Sequence, residues 1–193
     1  MNIVLASSSK HRKKLLQQLK VKFKTISPNI DETRLKGEDT SRYVRRLSIE
    51  KALRIAHDCK ESIVIGSDEV AVVGNKILGK PLTRAKAIKQ LKMISGKEVI
   101  FKTGLCVVNS ETFVKYTTVV NYKIQVKKLS QQEIKSYLLK EDVLSCAGSI
   151  KLEGLAIAIV TKATGNDPTS VIGLPLIKPV SYTHLRAHET QTH

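Results

Sequence analysis

The sequence contains few of the residues that mark disulfide-bonded, zinc-binding or single-strand-binding proteins. It has no tryptophan and only 4% aromatic residues, so side chains on which unpaired bases could stack are scarce. Its three cysteines, Cys59, Cys106 and Cys146, lack C-x-x-C spacing, which favours small core residues over a disulfide framework or a zinc site. Its longest apolar runs, such as residues 155–160, are far too short to cross a bilayer.

Acidic residues are scarce as well, and the charge balance is strongly positive. The chain has 33 lysines and arginines against 17 aspartates and glutamates, which gives a net charge of +16. Such a balance favours polyanionic partners: nucleic acid, nucleotides or an anionic membrane surface. Because the lysines are spread along the whole chain, a solvated basic surface without a specific partner is an equally open interpretation. No basic residue precedes the first apolar run, as a secretory signal would require, so we expect a cytoplasmic protein.

Strand-like and helix-like patterns alternate along the chain. Residues 1–6 predict a buried strand and the leucines that follow predict a helix. Residues 23–41 are predicted to form a polar loop that ends at the helix N-caps Thr40 and Ser41, and Ser130 with Glu133 predicts a capping box. The alternation indicates an α/β fold with a mixed sheet. Further strands are predicted at residues 63–65, 70–73, 76–78, 98–108, 112–126 and 155–160, with one hairpin across residues 74–75 and another around residues 109–111.

The last thirteen residues differ from the rest. Residues 181–193 hold three of the five histidines and show no apolar period. We expect a single domain over residues 1–180 and a non-native tail over residues 181–193.

The stretch "LASSSKHRKKLL" joins the first strand to the first helix through serines and a block of positive charge. A helix N-terminus offers unpaired backbone N–H groups and a positive dipole end, so it binds anions. Arg12 and Lys13 in the first helical turn oppose that dipole unless an anion lies between them. A phosphate site is one interpretation, and ordinary serine capping with a solvated basic face is the other.

Two further stretches carry candidate chemistry. "GSDEV", residues 66–70, follows a predicted strand, so Asp68 or Glu69 could project into a cleft and bind a metal or activate water. Adjacent side chains point to different sides, so the two carboxylates are expected to have different surroundings. Lys80 in "GKP" and Lys51 in "EKA" are candidates for binding phosphate. Taken singly, each could equally be a turn or surface residue.

Together these stretches resemble the Maf family of nucleotide pyrophosphatases over about residues 2–180. The motifs occur in the same order, and they favour the branch related to the 7-methyl-GTP pyrophosphatase of enteric bacteria. The segments that carry the resemblance are "LASSSKHRKKLL", Asp31-Glu32, "EKA", "GSDEV", "GKP", "SGKEVIFKTGL", "CAGSIKLEG" and "DPTSVIGLPLI".

The resemblance implies a mixed, twisted sheet in two lobes around a cleft, like the inosine triphosphate pyrophosphatases. It implies hydrolysis of a nucleoside triphosphate to the monophosphate and pyrophosphate with a divalent metal, Mg²⁺ or Mn²⁺ foremost. It also implies no membrane association and no stable nucleic-acid complex, and it is compatible with a homodimer. The resemblance implies that Asp68 is the proton acceptor, with the alternative role of metal ligand beside Glu32. It implies that His11, Glu69 and Glu153 determine substrate choice. The residues implied around the phosphates are Ser8, Arg12, Lys13, Lys51 and Lys80.

Some positions depart from the family pattern. His11 stands where the related enteric protein has an aromatic residue, Glu69 where this branch commonly has glutamine, and Lys13 where an arginine is usual. A dTTP or UTP pyrophosphatase of the same family is therefore the alternative enzyme. A basic nucleic-acid-binding module without catalysis is the alternative from another class, although Asp68, Glu69 and Glu153 would repel a phosphate backbone.

Overall fold

A mixed sheet with helices on both faces forms the part of the chain that the computed structural model describes, residues 1–177. Its seven strands are β1 (Asn2–Ala6), β2 (Lys24–Ile26), β3 (Ser62–Val73), β4 (Lys76–Leu78), β5 (Glu98–Asn109), β6 (Lys115–Val126) and β7 (Val160–Thr164). The α-helices are α1 (Lys10–Gln17), α2 (Thr40–Ala56), α3 (Arg84–Ile94) and α4 (Gln131–Lys140). None of the helices in this part of the chain has the length and apolar character needed to span a membrane.

The strand order is β2-β1-β3-β5-β6-β7, with β4 also paired to β3. Strand β1 runs parallel to both β2 and β3, whereas β3 with β5, β5 with β6 and β6 with β7 are antiparallel. The sheet is therefore mixed, which confirms the expected α/β class. The predicted hairpins are also present, as β3–β4 and β5–β6.

The long strands β3 and β5 pass through two separate cores. At one end their apolar residues pack against α1 on one face of the sheet and α2 on the other, with Val64, Ile65 and Leu105 among them. At the other end Ala71 and Phe101 pack within a core that also holds residues from α3 and α4. Between these cores the strands carry buried or half-buried polar residues, which are Ser67, Asp68, Glu69 and Thr103. The cleft between the two lobes therefore opens at the middle of β3.

Two glycines let α2 lie directly on the sheet beside this polar segment. A Cβ at Gly66 would come within 2.3 Å of the Ser48 carbonyl oxygen, and one at Gly104 within 2.2 Å of the Val44 carbonyl oxygen. Gly104 is also the cross-strand partner of Asp68. Only a residue without a side chain allows the helix backbone this close. The close approach brings Lys51, on the same helix, onto Asp68.

Four sequence-based predictions need correction. Asp68 does not follow a strand, because β3 is continuous from Ser62 to Val73 and the carboxylate lies at its middle. Helix α2 begins at Thr40, so its N-cap is Asp39 and neither Thr40 nor Ser41; Asp39 accepts hydrogen bonds from the backbone N–H groups of Ser41 and Arg42. The predicted loop over residues 23–41 contains β2, a short exposed edge strand.

The fourth correction concerns residues 155–160, which were predicted to form a buried strand. Leu155–Ala158 instead form a 3₁₀ turn, and β7 begins only at Val160. Ile157 is 75% exposed, although its neighbour Ala156 is fully buried. The backbone N–H of Leu155 donates to the Glu141 carboxylate and that of Ala156 to the Lys151 carbonyl, so these groups close a turn and do not pair with a strand. The predicted tail, residues 181–193, lies outside the described residues.

Candidate active site

Two neighbouring cavities open beside the middle of β3 and share Ser9, Arg12, Glu69 and Lys80 in their walls. The wide cavity has a volume of about 500 Å³, and its wall includes Ser7, Ser8, Glu32, Lys51 and Asp68. The narrow cavity has a volume of about 40 Å³, and its wall includes His11, Ser145, Cys146, Ile150 and Glu153. The structure therefore brings nearly all of the predicted site residues into one cleft with two compartments.

A lysine between two carboxylates forms the centre of the wide cavity. Lys51 Nζ lies 2.6 Å from Asp68 Oδ1 and 2.8 Å from Glu32 Oε1. The side chains of Lys51 and Asp68 are only 6% and 9% exposed, whereas that of Glu32 is 58% exposed. Charge-assisted contacts of this length between buried groups are strong and fix both partners. Asp68 is thus held in one orientation while Glu32 faces the open side.

Two residues of α2 hold the loop that carries Glu32. The Tyr43 hydroxyl donates to the backbone carbonyl of Glu32 at 2.8 Å. Arg46 donates to both carboxylate oxygens of Glu38, at 2.8 and 3.0 Å, and to the Thr33 carbonyl at 3.1 Å. The hydrogen bonds from Arg46 hold the pKa of the Glu38 carboxyl below its usual value. These bonds order an otherwise exposed loop at the edge of the cavity.

The start of α1 supplies the other wall of the wide cavity. Ser9 is the N-cap, and its hydroxyl accepts from the Arg12 backbone N–H at 3.4 Å. The Arg12 side chain bends back, with Nε donating to the Gly173 carbonyl at 2.8 Å and Nη1 to the Ser7 hydroxyl at 3.3 Å. The helix has no acidic residue in its first turn. Serine hydroxyls, free helical N–H groups and a fixed guanidinium together form a surface suited to an anion.

An imidazole and a carboxylate meet in the narrow cavity. His11 Nδ1 lies 2.9 Å from Glu153 Oε1, and His11 Nε2 lies 3.1 Å from the Ser145 hydroxyl. Both side chains of the His11–Glu153 pair are a little over one quarter exposed. The pair joins α1 to the loop before Leu155–Ala158, and so closes the cavity from two elements that are distant in sequence.

Glu69 lies between the two compartments. Part of its side chain faces the cavities, but protein atoms surround the carboxyl group, and this burial raises the pKa of Glu69 to about 8 against the pull of the Arg12 charge. The carboxyl lies 3.4 Å from the Thr103 hydroxyl, which itself donates to the Ser170 carbonyl at 2.7 Å. The raised pKa favours the protonated form of Glu69, which offers a donor and an acceptor as a glutamine does.

Cys146 is the one cysteine in the wall of the narrow cavity, and its sulfur lies 4.0 Å from His11 Nε2. Burial raises the pKa of the Cys146 thiol to about 12. A neutral thiol is a weak nucleophile, so this neighbouring imidazole does not make Cys146 a covalent catalyst. All three cysteines are free.

One predicted phosphate ligand lies elsewhere. Lys13 is exposed and lines a separate depression with residues of β2, and it is not in the wall of either cavity. Sequence reasoning also missed Tyr43, Arg46 and Ser145, which contact the predicted site residues directly or hold their loop. The i,i+4 spacing of Arg46 and Glu50 was visible in the sequence, but the contacts of Arg46 with the loop before α2 depend on how that loop folds.

Comparison with known proteins gives a consistent set of matches. A family model described as "Maf-like protein" matches residues 2–184. The 7-methyl-GTP pyrophosphatase of Nitrosococcus oceani is 44% identical over 91% of this chain and 88% of that protein. The chain is also similar to the 7-methyl-GTP pyrophosphatase of Colwellia psychrerythraea, with 44% identity over 92% of this chain and 89% of that protein. It is 43% identical to that of Pseudomonas aeruginosa over 93% of this chain and 93% of that protein.

Proposed function

Because the chain belongs to the Maf family, we propose that it is a nucleoside triphosphate pyrophosphatase that converts 7-methyl-GTP to the monophosphate and pyrophosphate. The observation that carries this proposal is the division of one cleft into two compartments. The wide cavity presents an ordered lysine, an arginine and a helix N-terminus, and the narrow one presents a carboxylate that faces an imidazole.

The wide cavity suits a triphosphate. The start of α1, Arg12 and Lys80 would contact phosphate oxygens, where negative charge increases as pyrophosphate leaves. Water attacks the α-phosphorus, the bond to the α–β bridging oxygen breaks, and Asp68 accepts the proton of the attacking water. Lys51, 2.6 Å from Asp68, holds the carboxylate in position for that transfer.

The narrow cavity suits the recognition of a guanine base. Guanine offers N1–H and N2–H₂ side by side, and the Glu153 carboxylate accepts both. Methylation at N7 makes the ring cationic, which strengthens pairing with an anion, whereas a pyrimidine has no such pair of donors. In this structure His11 contacts the Glu153 carboxylate, so the His11–Glu153 pair has to open before the carboxylate accepts from the base.

A divalent cation fits the donor set of the wide cavity. Asp68 and Glu32 offer hard oxygen ligands close to each other, since both contact the Lys51 ammonium group. Within residues 1–177 no group of three or more histidine, cysteine or acidic side chains could hold a metal by itself. Mg²⁺ is commonly bound by one or two carboxylates together with substrate phosphates. Glu32 would hold the cation, with Asp68 beside it in its alternative role of ligand instead of base, and the cation would neutralise charge on the phosphates.

The decisive test is a screen of nucleoside triphosphates with pyrophosphate detection. Equal concentrations of 7-methyl-GTP, GTP, dTTP and UTP would be compared with Mg²⁺, with Mn²⁺ and with chelator. We expect the highest kcat/KM for 7-methyl-GTP and no turnover in chelator. Higher kcat/KM for dTTP and UTP would contradict the proposed substrate, and absence of turnover on all four would contradict the activity. A cytoplasmic location and the absence of a stable nucleic-acid complex stay predictions.

A further inference from the structure

The loop that carries Glu153 is held from outside the cleft by helix α4. Glu141, the C-cap residue of α4, lies 2.5 Å from Lys151 Nζ through Oε1 and accepts from the Leu155 backbone N–H at 2.8 Å through Oε2. Glu141 therefore contacts the chain two residues before Glu153 and two residues after it. It lines neither of the two cavities.

The residue next to Glu153 is shaped for this contact. A Cβ at Gly154 would lie 2.3 Å from Oε2 of Glu141, so any other residue would displace the carboxylate. The Gly154 N–H donates to the Lys151 carbonyl at 3.0 Å and closes the turn. The contact with Lys151, and next the bond from Leu155, hold the pKa of the Glu141 carboxyl below its ordinary value. Glu141 is thus charged and doubly bound at neutral pH.

A second residue of α4 secures the start of the same loop. The buried Tyr137 hydroxyl accepts from the Lys151 backbone N–H at 3.2 Å and donates to the Ser149 carbonyl at 3.3 Å. The loop therefore has fixed backbone points at Ser149, Lys151 and Leu155, while the Glu153 side chain between them extends to His11 at 2.9 Å. A partly exposed carboxylate with one polar contact depends on its backbone for its position.

We propose that Glu141 is a positioning residue for substrate choice: it fixes the loop of residues 151–155 so that the Glu153 carboxylate meets the base. The inference rests on the proposed role of Glu153 in the reaction described above. A shift of about 1 Å in a positioned group can cost up to about 100-fold in rate. Loss of Glu141 is therefore expected to reduce the preference for 7-methyl-GTP and to leave turnover of UTP intact.

The test compares Glu141→Ala and Glu141→Gln with Glu133→Gln. Glu133 is the matched control, because it is also an ion-paired glutamate of α4, 2.9 Å from Lys127, but lies at the other end of the helix. For Glu141→Ala we expect the ratio of kcat/KM for 7-methyl-GTP over UTP to fall about 10-fold, with kcat for UTP unchanged. Glu141→Gln keeps an acceptor for the Leu155 N–H and should lose about 3-fold. Glu133→Gln should keep the wild-type ratio.

A second measurement does not depend on activity. Trypsin cleaves after lysine, and in the native protein Lys151 is held by Glu141. In Glu141→Ala, cleavage after Lys151, mapped by mass spectrometry, should be at least several-fold faster than in the wild type or Glu133→Gln. An unchanged cleavage rate would overturn the positioning role. The positioning role would also be overturned if Glu153→Ala lowers the ratio of kcat/KM for 7-methyl-GTP over UTP but Glu141→Ala leaves that ratio unchanged. An unchanged ratio in Glu153→Ala itself would overturn the proposed recognition of the base and, with it, the effect of Glu141 on substrate choice.

Discussion

The two compartments of the cleft are built from different kinds of contact. In the wide cavity a buried lysine pairs with two carboxylates, and Asp68 lies within a continuous strand between two cores. In the narrow cavity a partly exposed histidine meets a carboxylate on a loop. Every nucleoside triphosphate has the same phosphates, whereas bases differ in their donors and acceptors. The compartment with the buried Lys51–Asp68 pair therefore suits the step common to all substrates, and the compartment with the partly exposed Glu153 carboxylate suits discrimination.

This comparison predicts that rate and preference can be changed separately. Substitutions in the wide cavity should lower turnover of all nucleotides alike. Substitutions in the narrow cavity should change the ratio between nucleotides. Glu69, which lines both compartments, should instead change how the stability of the protein depends on pH, because its carboxyl has a raised pKa.

The largest expected effect is that of Asp68→Asn. Asparagine keeps an oxygen that accepts from Lys51, so the fold should persist, but it cannot take a proton. We expect kcat to fall about 10²–10⁴-fold on 7-methyl-GTP and UTP alike. Asp58→Asn is the control, because Asp58 is an exposed carboxylate paired with Arg54. Retention of more than about a tenth of the wild-type kcat would remove Asp68 from the role of base.

The next effect is that of Glu153→Ala, measured as kcat/KM on both substrates. Loss of a charge-assisted pair with the base should cost about 1.5–3 kcal/mol, or roughly 10–150-fold, on 7-methyl-GTP. UTP should lose far less, because it has no adjacent donors for the carboxylate. Glu111→Gln, in the turn between β5 and β6, should change neither value. Equal losses on both substrates would show that the narrow cavity does not select the base.

The third prediction concerns the proton on Glu69. The pKa of this carboxyl rises from 4.5 to about 8 on burial, so between these pH values the native state holds a proton that the unfolded chain releases. Stability is therefore unaffected below about pH 4.5, falls as the pH rises through this window, and carries the full penalty above about pH 8. Glu69→Gln removes the ionisation.

Thermal unfolding of Glu69→Gln and wild type from pH 5 to pH 8.5 checks this prediction. The Tm advantage of the glutamine variant over the wild type should therefore widen by several degrees as the pH rises through this window. A gap that stays constant with pH would show that Glu69 ionises as an ordinary carboxyl does.

Much of the wide cavity could be predicted from the sequence, because its residues lie in short motifs next to elements with clear periodicity. The capping box of Ser130 and Glu133 rests on local hydrogen bonds and was predicted. Serine capping of α1 was one of two interpretations of its start, and Ser9 is indeed its N-cap. The narrow cavity was harder to predict from the sequence. The pairing of His11 with Glu153 joins residues 142 positions apart, and no local pattern encodes it.

The errors have a common physical cause. Residues 155–160 are apolar and β-rich, which favours a strand, but the backbone N–H groups of Leu155 and Ala156 donate to the Glu141 carboxylate and the Lys151 carbonyl and close a turn. Likewise, Gly66 was interpreted as the end of a strand, whereas it is the point where α2 approaches β3. In both segments tertiary contacts outweighed the local strand propensity. Both segments adjoin the cleft.

A smaller effect is expected from His11→Phe. This variant tests whether His11 competes with the base for the Glu153 carboxylate or itself binds the base. In the free protein His11 occupies the Glu153 carboxylate that the base has to reach. A partly exposed contact between an imidazole and a carboxylate is worth about 0.2–1 kcal/mol, so its removal should lower KM for 7-methyl-GTP by up to about 5-fold and leave kcat unchanged. His57→Phe, which alters a histidine stacked on Phe113, is the control. A higher KM would show that His11 binds the base and does not compete with it.

The smallest expected effect is that of ending the chain at Val180. We propose that residues 181–193 are a non-native tail, because they show no apolar pattern that could bury a face. The walls of both cavities are formed by residues between Ala6 and Gly173, so the truncated protein should keep the wild-type kcat, substrate ratio and Tm. The family match extends to residue 184, four positions beyond this boundary. A second truncation after residue 184 therefore sharpens the test: a Tm several degrees lower in the shorter chain alone would assign residues 181–184 to the domain, and a loss in both would show that the tail contributes to the fold.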